Sequence, residues 1–302
     1  MLDLISIGSI SIDLYFKGDS LTADQERFHL AVGGKYVVDQ LYESVGGGGA
    51  NVAIGGVKNG LQTAALGIIG NNPFKPMILN ELKEGGVSSQ LCQFQDDYLN
   101  LSSILLTKNG DRTIIHYEPT NEHIFSSLAN FKSLLETRAV YLGNLADVSL
   151  AEREKILSFL KKNNISIFMN LGVKDCRRSI QDIEKLVKYA DILILNAHEL
   201  ADMFKKDYRD LNFTLDIAAN FNILSNKILV VTDGAKGSYA YANGKVYKQQ
   251  ATKISQIVDA TGAGDAYTAA FIAAYLKSKN IQLAMESGAY YATKILLKIG
   301  AN

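Results

Sequence analysis

Cysteine is scarce. Only Cys92 and Cys176 occur in 302 residues, and no C-x-x-C pair exists. That excludes thiolate-metal and disulfide frameworks and fits a reducing, cytoplasmic setting. Proline is nearly as scarce, with three, and no Pro/Ser-rich linker divides the chain. One domain over 1–302 with an appendage is therefore expected rather than two. Neither sign of charge predominates: 31 Lys and Arg stand against 31 Asp and Glu, with no basic stripe. This argues against nucleic acid as the main partner. No apolar run approaches the ~18 residues of a membrane span. The opening Met1-Leu2-Asp3-Leu4-Ile5-Ser6-Ile7-Gly8 has no basic n-region and no cleavage site, so it reads as a buried strand rather than a leader. Several motifs are also missing. Without G-x-x-x-x-G-K-[ST] the chain is not a P-loop enzyme. Without H-R-D or D-F-G it is not a protein kinase. Without G-x-G-x-x-G at the first helix a dinucleotide dehydrogenase is not expected, and no G-x-S-x-G occurs.

What the chain does contain is organised around Asp259-Ala260-Thr261-Gly262-Ala263-Gly264-Asp265. An extended segment is expected before it, over 252–258. An Ala-rich stretch with helical spacing follows, from Ala266 to Leu276. A small-residue turn thus opens a helix. The first turn of a helix has unpartnered N–H groups and partial positive charge, and Gly262 and Gly264 let an anion approach them. Asp265 would repel a phosphate unless it acts on something else, and a base taking a proton from an attacking hydroxyl fits. An Asp in this position is also a common capping residue.

Four glycines, Gly46 to Gly49, precede Ala50 and Asn51. They offer either a flexible loop or a backbone that a ligand can approach closely. A helix is expected from Asn51 to about Asn59, with Gly60 as its stop. Strand 2–8 leads to Ser11-Ile12-Asp13, and parallel α/β sheets put ligand residues just beyond strand ends. From residue 120 apolar strands (140–142, 165–169, 192–195, 228–231) alternate with helical patterns (about 150–163, 179–189, 197–205, 213–223), which predicts a parallel sheet with helices on both faces. Asn144 and Asn170 each follow a strand end. Asn196-Ala197-His198-Glu199 has the spacing of a capping box. Thr232 to Gly237 reads as a tight turn, and 238–242 with 245–247 as a hairpin. Residues 102–107 and 112–117 read as a second hairpin, with short extended candidates at 14–16 and 28–32.

The 259–265 stretch resembles the D-T-x-G-A-G-D signature of the ribokinase, or phosphofructokinase-B type, family of carbohydrate kinases. Six of seven positions match, Ala260 replacing Thr. Three further motifs follow the family's order. The resemblance implies a ribokinase-like three-layer α/β/α sandwich, with a mostly parallel central sheet and a small β-sheet lid from about 12–45 and 98–118. It implies transfer of the ATP γ-phosphate to a hydroxyl of a sugar or sugar derivative. Asp265 is then the catalytic base, and the amides of Gly262, Ala263 and Gly264 form the anion hole. Asp13, Gly47 and Asn51 hold the acceptor, with Asn144 where relatives often carry a substrate contact. The family's Asn two residues before Asp13 is Ser11 here, and the Lys common in ribokinases proper is Gly48. Thr232, Gly234, Gly237, Gly264 and Ala289 map to the ATP site. Asn196 and Glu199 map to the magnesium region, acting through water. Backbone near Asp259 maps to a monovalent-cation (K⁺) site. A nucleoside acceptor is the alternative, with Tyr15, Phe16 and Tyr117 lining a base pocket. A non-catalytic ligand sensor on the same fold is the other class. A homodimer through the lid occurs in some relatives.

Overall fold

The computed structural model describes residues 1–24, 27–125, 131–213, 227–255 and 257–302. Its strands in chain order are β1 (Leu2–Ile7), β2 (Ser11–Lys17), β3 (Ala23–Asp24), β4 (Arg27–Phe28), β5 (Gln40–Gly46), β6 (Thr63–Leu66), β7 (Ile68–Gly70), β8 (Gln93–Gln95), β9 (Leu101–Leu106), β10 (Arg112–Tyr117), β11 (Thr137–Leu142), β12 (Ser166–Met169), β13 (Ile192–Asn196), β14 (Ile228–Thr232), β15 (Ser238–Ala242) and β16 (Lys245–Gln249). The helices are α1 (Gly48–Lys58), α2 (Lys75–Glu84), α3 (Leu150–Lys162), α4 (Val173–Cys176), α5 (Ile180–Val187), α6 (Ala197–Phe204), α7 (Ala263–Ser278) and α8 (Ile281–Leu296).

Eight strands form the main sheet in the order β16-β15-β14-β13-β12-β11-β1-β6. From β14 to β6 all pairings are parallel; β15 and β16 close one edge as an antiparallel hairpin. Successive strand residues face opposite sides, so each strand feeds two cores. Ile5, Ile7, Val140, Leu142, Ile167, Met169, Leu193 and Leu195 pack with Ile156, Leu160, Leu186 and Leu200 of α3, α5 and α6. Their neighbours Leu4, Tyr141, Phe168, Ile194 and Val230 pack with Val52 of α1, Tyr267, Phe271 and Ile272 of α7, and Met285 of α8. This double burial is why the strands read as unbroken apolar runs. The expected strands 140–142, 165–169, 192–195 and 228–231 and helices 150–163, 179–189 and 197–205 match within three residues at each end. The expected helix 213–223 lies, from 214 onward, outside the described residues. Among the described residues no helix is long and apolar enough to cross a membrane.

A separate four-stranded sheet, β10-β9-β2-β5, is built from the two stretches expected of the lid. It is not an edge of the main sheet. Of the 28–32 candidate, only Arg27–Phe28 forms a short strand, paired with Ala23–Asp24. The strand that pairs with β2 is instead β5, Gln40–Gly46. Two further expectations fail locally. Helix α1 starts at Gly48, not Asn51, because the carbonyl of Ser9 accepts from the amides of Gly49 and Ala50 and caps the earlier turn. The described residues of 252–258 form a loop rather than a strand: they pair with no sheet, and the Val258 amide donates to the carbonyl of Leu296 of α8.

Candidate active site

The start of α7 sets the site. Its N-cap, Gly262, has φ 73°, in the left-handed region that favours glycine, and no side chain caps the helix. A Cβ there would lie 2.2 Å from the Cβ of Ala301, so glycine also allows the 300–302 segment to pass close by. The amide of Ala263 reaches back to the carbonyl of Ala260 over a long 3.5 Å. Among the described residues the amides of Gly262, Gly264 and Asp265 have no protein acceptor, and the space where a Gly264 Cβ would stand is open. The neighbouring start of α1 differs, because Ser9 satisfies its amides. Of these two helix starts, the one at α7 is the open anion mouth.

Asp265 projects from that turn. Its Oδ2 accepts from Asn51 Nδ2 at 2.7 Å, and Oδ1 stands 3.5 Å from where a Cβ of Gly48 would lie. Burial lifts the Asp265 carboxyl above the usual range, the Asn51 amide opposes this, and the nearby Asp13 charge adds to it. A carboxylate raised in this way is a better proton acceptor near neutral pH. Asp13, on β2, is buried. Burial raises its carboxyl too, against the hydroxyls of Ser102 and Ser11; Ser11 Oγ donates to Oδ1 at 3.2 Å. Ser102 in turn pairs with His116 Nδ1 at 3.0 Å.

The glycine run serves close backbone packing as much as ligand approach. A Cβ on Gly46 would strike the Asp13 carboxylate at 2.1 Å. On Gly47 (φ 88°) it would meet the carbonyl of Ser9 at 2.5 Å, and on Gly49 the carbonyl of Gly8 at 2.6 Å. Gly48 alone of the four could carry a Cβ without a clash, in ordinary contact with Asp265 Oδ1 at 3.5 Å.

Asn196 and Glu199 form a complete capping box. Asn196 Oδ1 accepts from the Glu199 amide at 2.8 Å, and Glu199 Oε2 accepts from the Asn196 amide at 2.9 Å. Asn170 Nδ2 also donates to Glu199 Oε2, at 3.3 Å. Burial pushes the Glu199 carboxyl up to about 7, against those two donors. Its Oε1 has no hydrogen-bond partner among the described residues. Direct coordination through the two capped oxygens does not fit a metal; an outer role toward a hydrated ion does. Among the described residues no group of three or more acidic, His or Cys side chains could hold a metal by itself.

Asp259 is fully buried. Its carboxylate accepts from the amide and hydroxyl of Thr261 (2.9 and 2.7 Å) and from the amide of Gly300 (3.2 Å), with Arg112 Nη1 of β10 at 3.9 Å. It thus ties the anion mouth to the 300–302 segment and to the second sheet. Nearby, Tyr15 Oη, Ser44 Oγ and Asn302 Oδ1 are buried without hydrogen-bond partners. Unpartnered buried oxygens of this kind fit a hard monovalent cation or water.

Thr232 ends β14 beside Asn196 of β13, on the carboxyl rim of the sheet, and Gly234 and Gly237 form the turn that follows. A Gly237 Cβ would lie 2.1 Å from the carbonyl of Gln249, so that glycine has a packing role. Ala289 sits on α8 against the α7-side core, and Asn144 is an exposed loop residue lying against Gly172. Neither is brought into contact with Asp265. The structure gathers Asp13, Gly46–Gly48, Asn51 and Asp265. Reading the sequence missed Ser44, Ser102, Arg112, His116 and Asn302. Period-two alternation in β9 and β10 could have placed Ser102 and His116 on one face; nothing local marks Asn302.

The match to known proteins covers the whole chain: the model of the pfkB family carbohydrate kinases spans residues 1–302. The chain belongs to that family. Among curated relatives, an uncharacterized sugar kinase of Archaeoglobus fulgidus is 25% identical over 244 residues, covering 80% of this chain and 94% of the relative. The adenosine kinase of Schizosaccharomyces pombe is 23% identical over 241 residues, covering 75% and 71%. The Arabidopsis thaliana ribokinase, solved with ribose and ATP, superposes with a TM-score of 0.80 at 22% identity, covering 99% of this chain and 94% of the other. The fold of this pfkB-family kinase is therefore ribokinase-like, and its activity is that of a carbohydrate kinase.

Proposed function

We propose that this kinase transfers the γ-phosphoryl group of ATP to a hydroxyl of a sugar or sugar derivative, with Asp265 as general base. One observation carries the reading: a raised carboxylate held at 2.7 Å by Asn51 sits in the first turn of a helix where the amides of Gly262, Gly264 and Asp265 have no acceptor among the described residues. Asp13 and Asn51 orient the acceptor hydroxyl against Asp265, which takes its proton as the oxygen attacks. The amides of Gly262, Gly264 and Asp265, with Ala263 between them, stabilise charge on the moving phosphoryl group. Thr232, Gly234 and Gly237 face the nucleotide phosphates from the carboxyl rim, and Ala289 lies toward the base. A hydrated Mg²⁺ outside Asn196 and Glu199 would neutralise phosphate charge. K⁺ is assigned to the Asp259 region, where it would steady the anion mouth.

The second sheet acts as the lid. Its hairpin reaches the 257–259 loop, where Arg112 approaches Asp259 and a Gly110 Cβ would lie 3.2 Å from the carbonyl of Ile257. Closure there excludes water from the transfer. The lid also favours a sugar over a nucleoside. Strand alternation puts Asp13, Ser44, Ser102 and His116 on one face, a polar lining suited to hydroxyls. Phe16 and Tyr117 fall on the opposite face, so two of the three aromatics considered for a base pocket point away from Asp13. That opposite face carries Leu14, Phe16, Leu41, Leu105 and Ile115. A second copy covering it would give the lid homodimer, which light scattering reads directly.

Asp265→Asn is expected to leave ATP binding near normal and to lower turnover by ~10²–10⁴. Full activity in that variant would remove the base assignment. A panel of sugars and nucleosides, scored by ATP-dependent product, identifies the acceptor. Tight ligand binding without ADP release across the panel would favour the non-catalytic sensor.

A further inference from the structure

The segment after α8 brings a side chain into the site that no motif marks. Asn302 Nδ2 donates to the carbonyl of Val45 at 3.1 Å and to Asn51 Oδ1 at 3.0 Å. Asn51 Nδ2 donates in turn to Asp265 Oδ2 at 2.7 Å. The polarity of this chain is fixed at one end. A backbone carbonyl only accepts, so Asn302 must turn its amino group toward Val45. That same amino group meets Asn51, which must therefore present its oxygen to it. Asn51 is left with its amino group facing Asp265. Without Asn302, only the protonation state of Asp265 distinguishes the two ends of the Asn51 carboxamide: an ionised carboxylate takes the N–H, a protonated one can donate to the oxygen. Val45 is itself anchored, because its amide donates to Glu81 Oε2 at 2.9 Å.

We infer that Asn302 is a positioning residue: it sets the orientation of the Asn51 carboxamide so that an N–H, not a carbonyl oxygen, faces the base. The inference rests on the reading of Asp265 as that base, and deepens it. A donor on Asp265 keeps the carboxylate ionised; an oxygen in its place would retain a proton on it. Of the other ionisable groups around Asp265, Asp13 from β2 acts against its ionisation, while Glu199 from α6 and Tyr141 from β11 are themselves raised by the Asp265 charge; none is a cation. The Asn51 donor has no cationic substitute among them, so its orientation decides how readily the base forms.

The test is a titration of protein labelled with ¹³C at aspartate Cγ, free of nucleotide and acceptor. The resonance absent from Asp265→Asn assigns the base. Asn302→Ala and the near-isosteric, uncharged Asn302→Leu each remove the orienting donor without adding a charge beside Asp265. Both are expected to move the Asp265 midpoint up by about one pH unit, the worth of one charge-assisted hydrogen bond. The acidic limb of kcat/KM should move with it. An unchanged midpoint in a folded variant, even with a lower Tm, would overturn the assignment and leave Asn302 a packing residue. If Asn302→Ala does not fold, the near-isosteric Leu variant decides alone. Because the titration needs no phosphoryl transfer, its outcome is separate from that of the Asp265→Asn activity assay.

Discussion

Gly262 and Gly264 stand two residues apart in the same signature, yet the structure gives them different work, and a pair of alanine variants separates the two. At Gly262 an added Cβ would lie 2.2 Å from Ala301 Cβ and 2.6 Å from Ala301 Cα, so backbone must move. The residue also holds φ 73°, which costs an L side chain about 1–2 kcal/mol. Overpacking adds about 1–3 kcal/mol. Gly262→Ala should therefore lose about 2–5 kcal/mol, a fall in Tm of about 4–10 °C for a chain of this size. At Gly264 nothing lies within 4 Å of the added Cβ, and the residue is helical. Gly264→Ala should be neutral or stabilising by up to about 1 kcal/mol, leaving Tm the same or slightly higher. Its methyl group, however, stands beside the unpartnered amides, where it crowds the phosphoryl group. Turnover should fall on the order of 10², as for a lost oxyanion donor. Calorimetry and an ADP-release assay on both proteins give the comparison. Full activity in Gly264→Ala would refute the anion mouth at α7, and a wild-type Tm in Gly262→Ala would refute the close passage of Ala301.

Two further outcomes follow from buried charge. Glu199 has its carboxyl raised from the usual 4.5 to about 7, so between those values the folded protein binds the proton that the unfolded chain has released. Its contribution is present below pH 4.5 and is lost as pH rises through 7, at most about 3 kcal/mol. Glu199→Gln should flatten the fall in urea stability between pH 5 and pH 8, and an unchanged fall would show that Glu199 titrates elsewhere. Arg153 and Asp175 form a buried bidentate pair at 2.5 and 3.0 Å, with Arg178 Nε a third donor at 2.7 Å. Burial opposes ionisation of Asp175, yet the two guanidinium groups hold its carboxyl below the usual range. Asp175→Ala should cost about 3–5 kcal/mol by urea denaturation, because it leaves Arg153 buried and unpaired; a loss under about 1 kcal/mol would contradict that.

How much of this was legible in the sequence depends on how far each residue's partners lie along the chain. Strands such as Ile192–Asn196 announce themselves because burial on both faces leaves only apolar residues in the run. Asp265 was legible because its setting is local: two glycines and a helix start supply the mouth it stands in. The start of α1 was misplaced because glycines argue against a helix until Ser9, forty residues earlier, is seen to cap it. Strand β5 was missed for a related reason. Gln40–Gly46 is mostly exposed and polar toward its start, and its pairing to β2 is what makes it a strand. Asn302 lies furthest from inspection, 251 positions from Asn51. Its meaning comes only from the Val45 carbonyl and the Asn51 carboxamide that the fold carries to it. Asp265 lies inside the signature, whereas Asn302, which we infer orients its partner Asn51, lies outside it. The candidate site of this pfkB-family kinase is thus more than its motifs: Asn51, Asp265 and Asn302 become one hydrogen-bonded chain, with the Asp13 charge nearby, only when the second sheet, α1, α7 and the 300–302 segment meet.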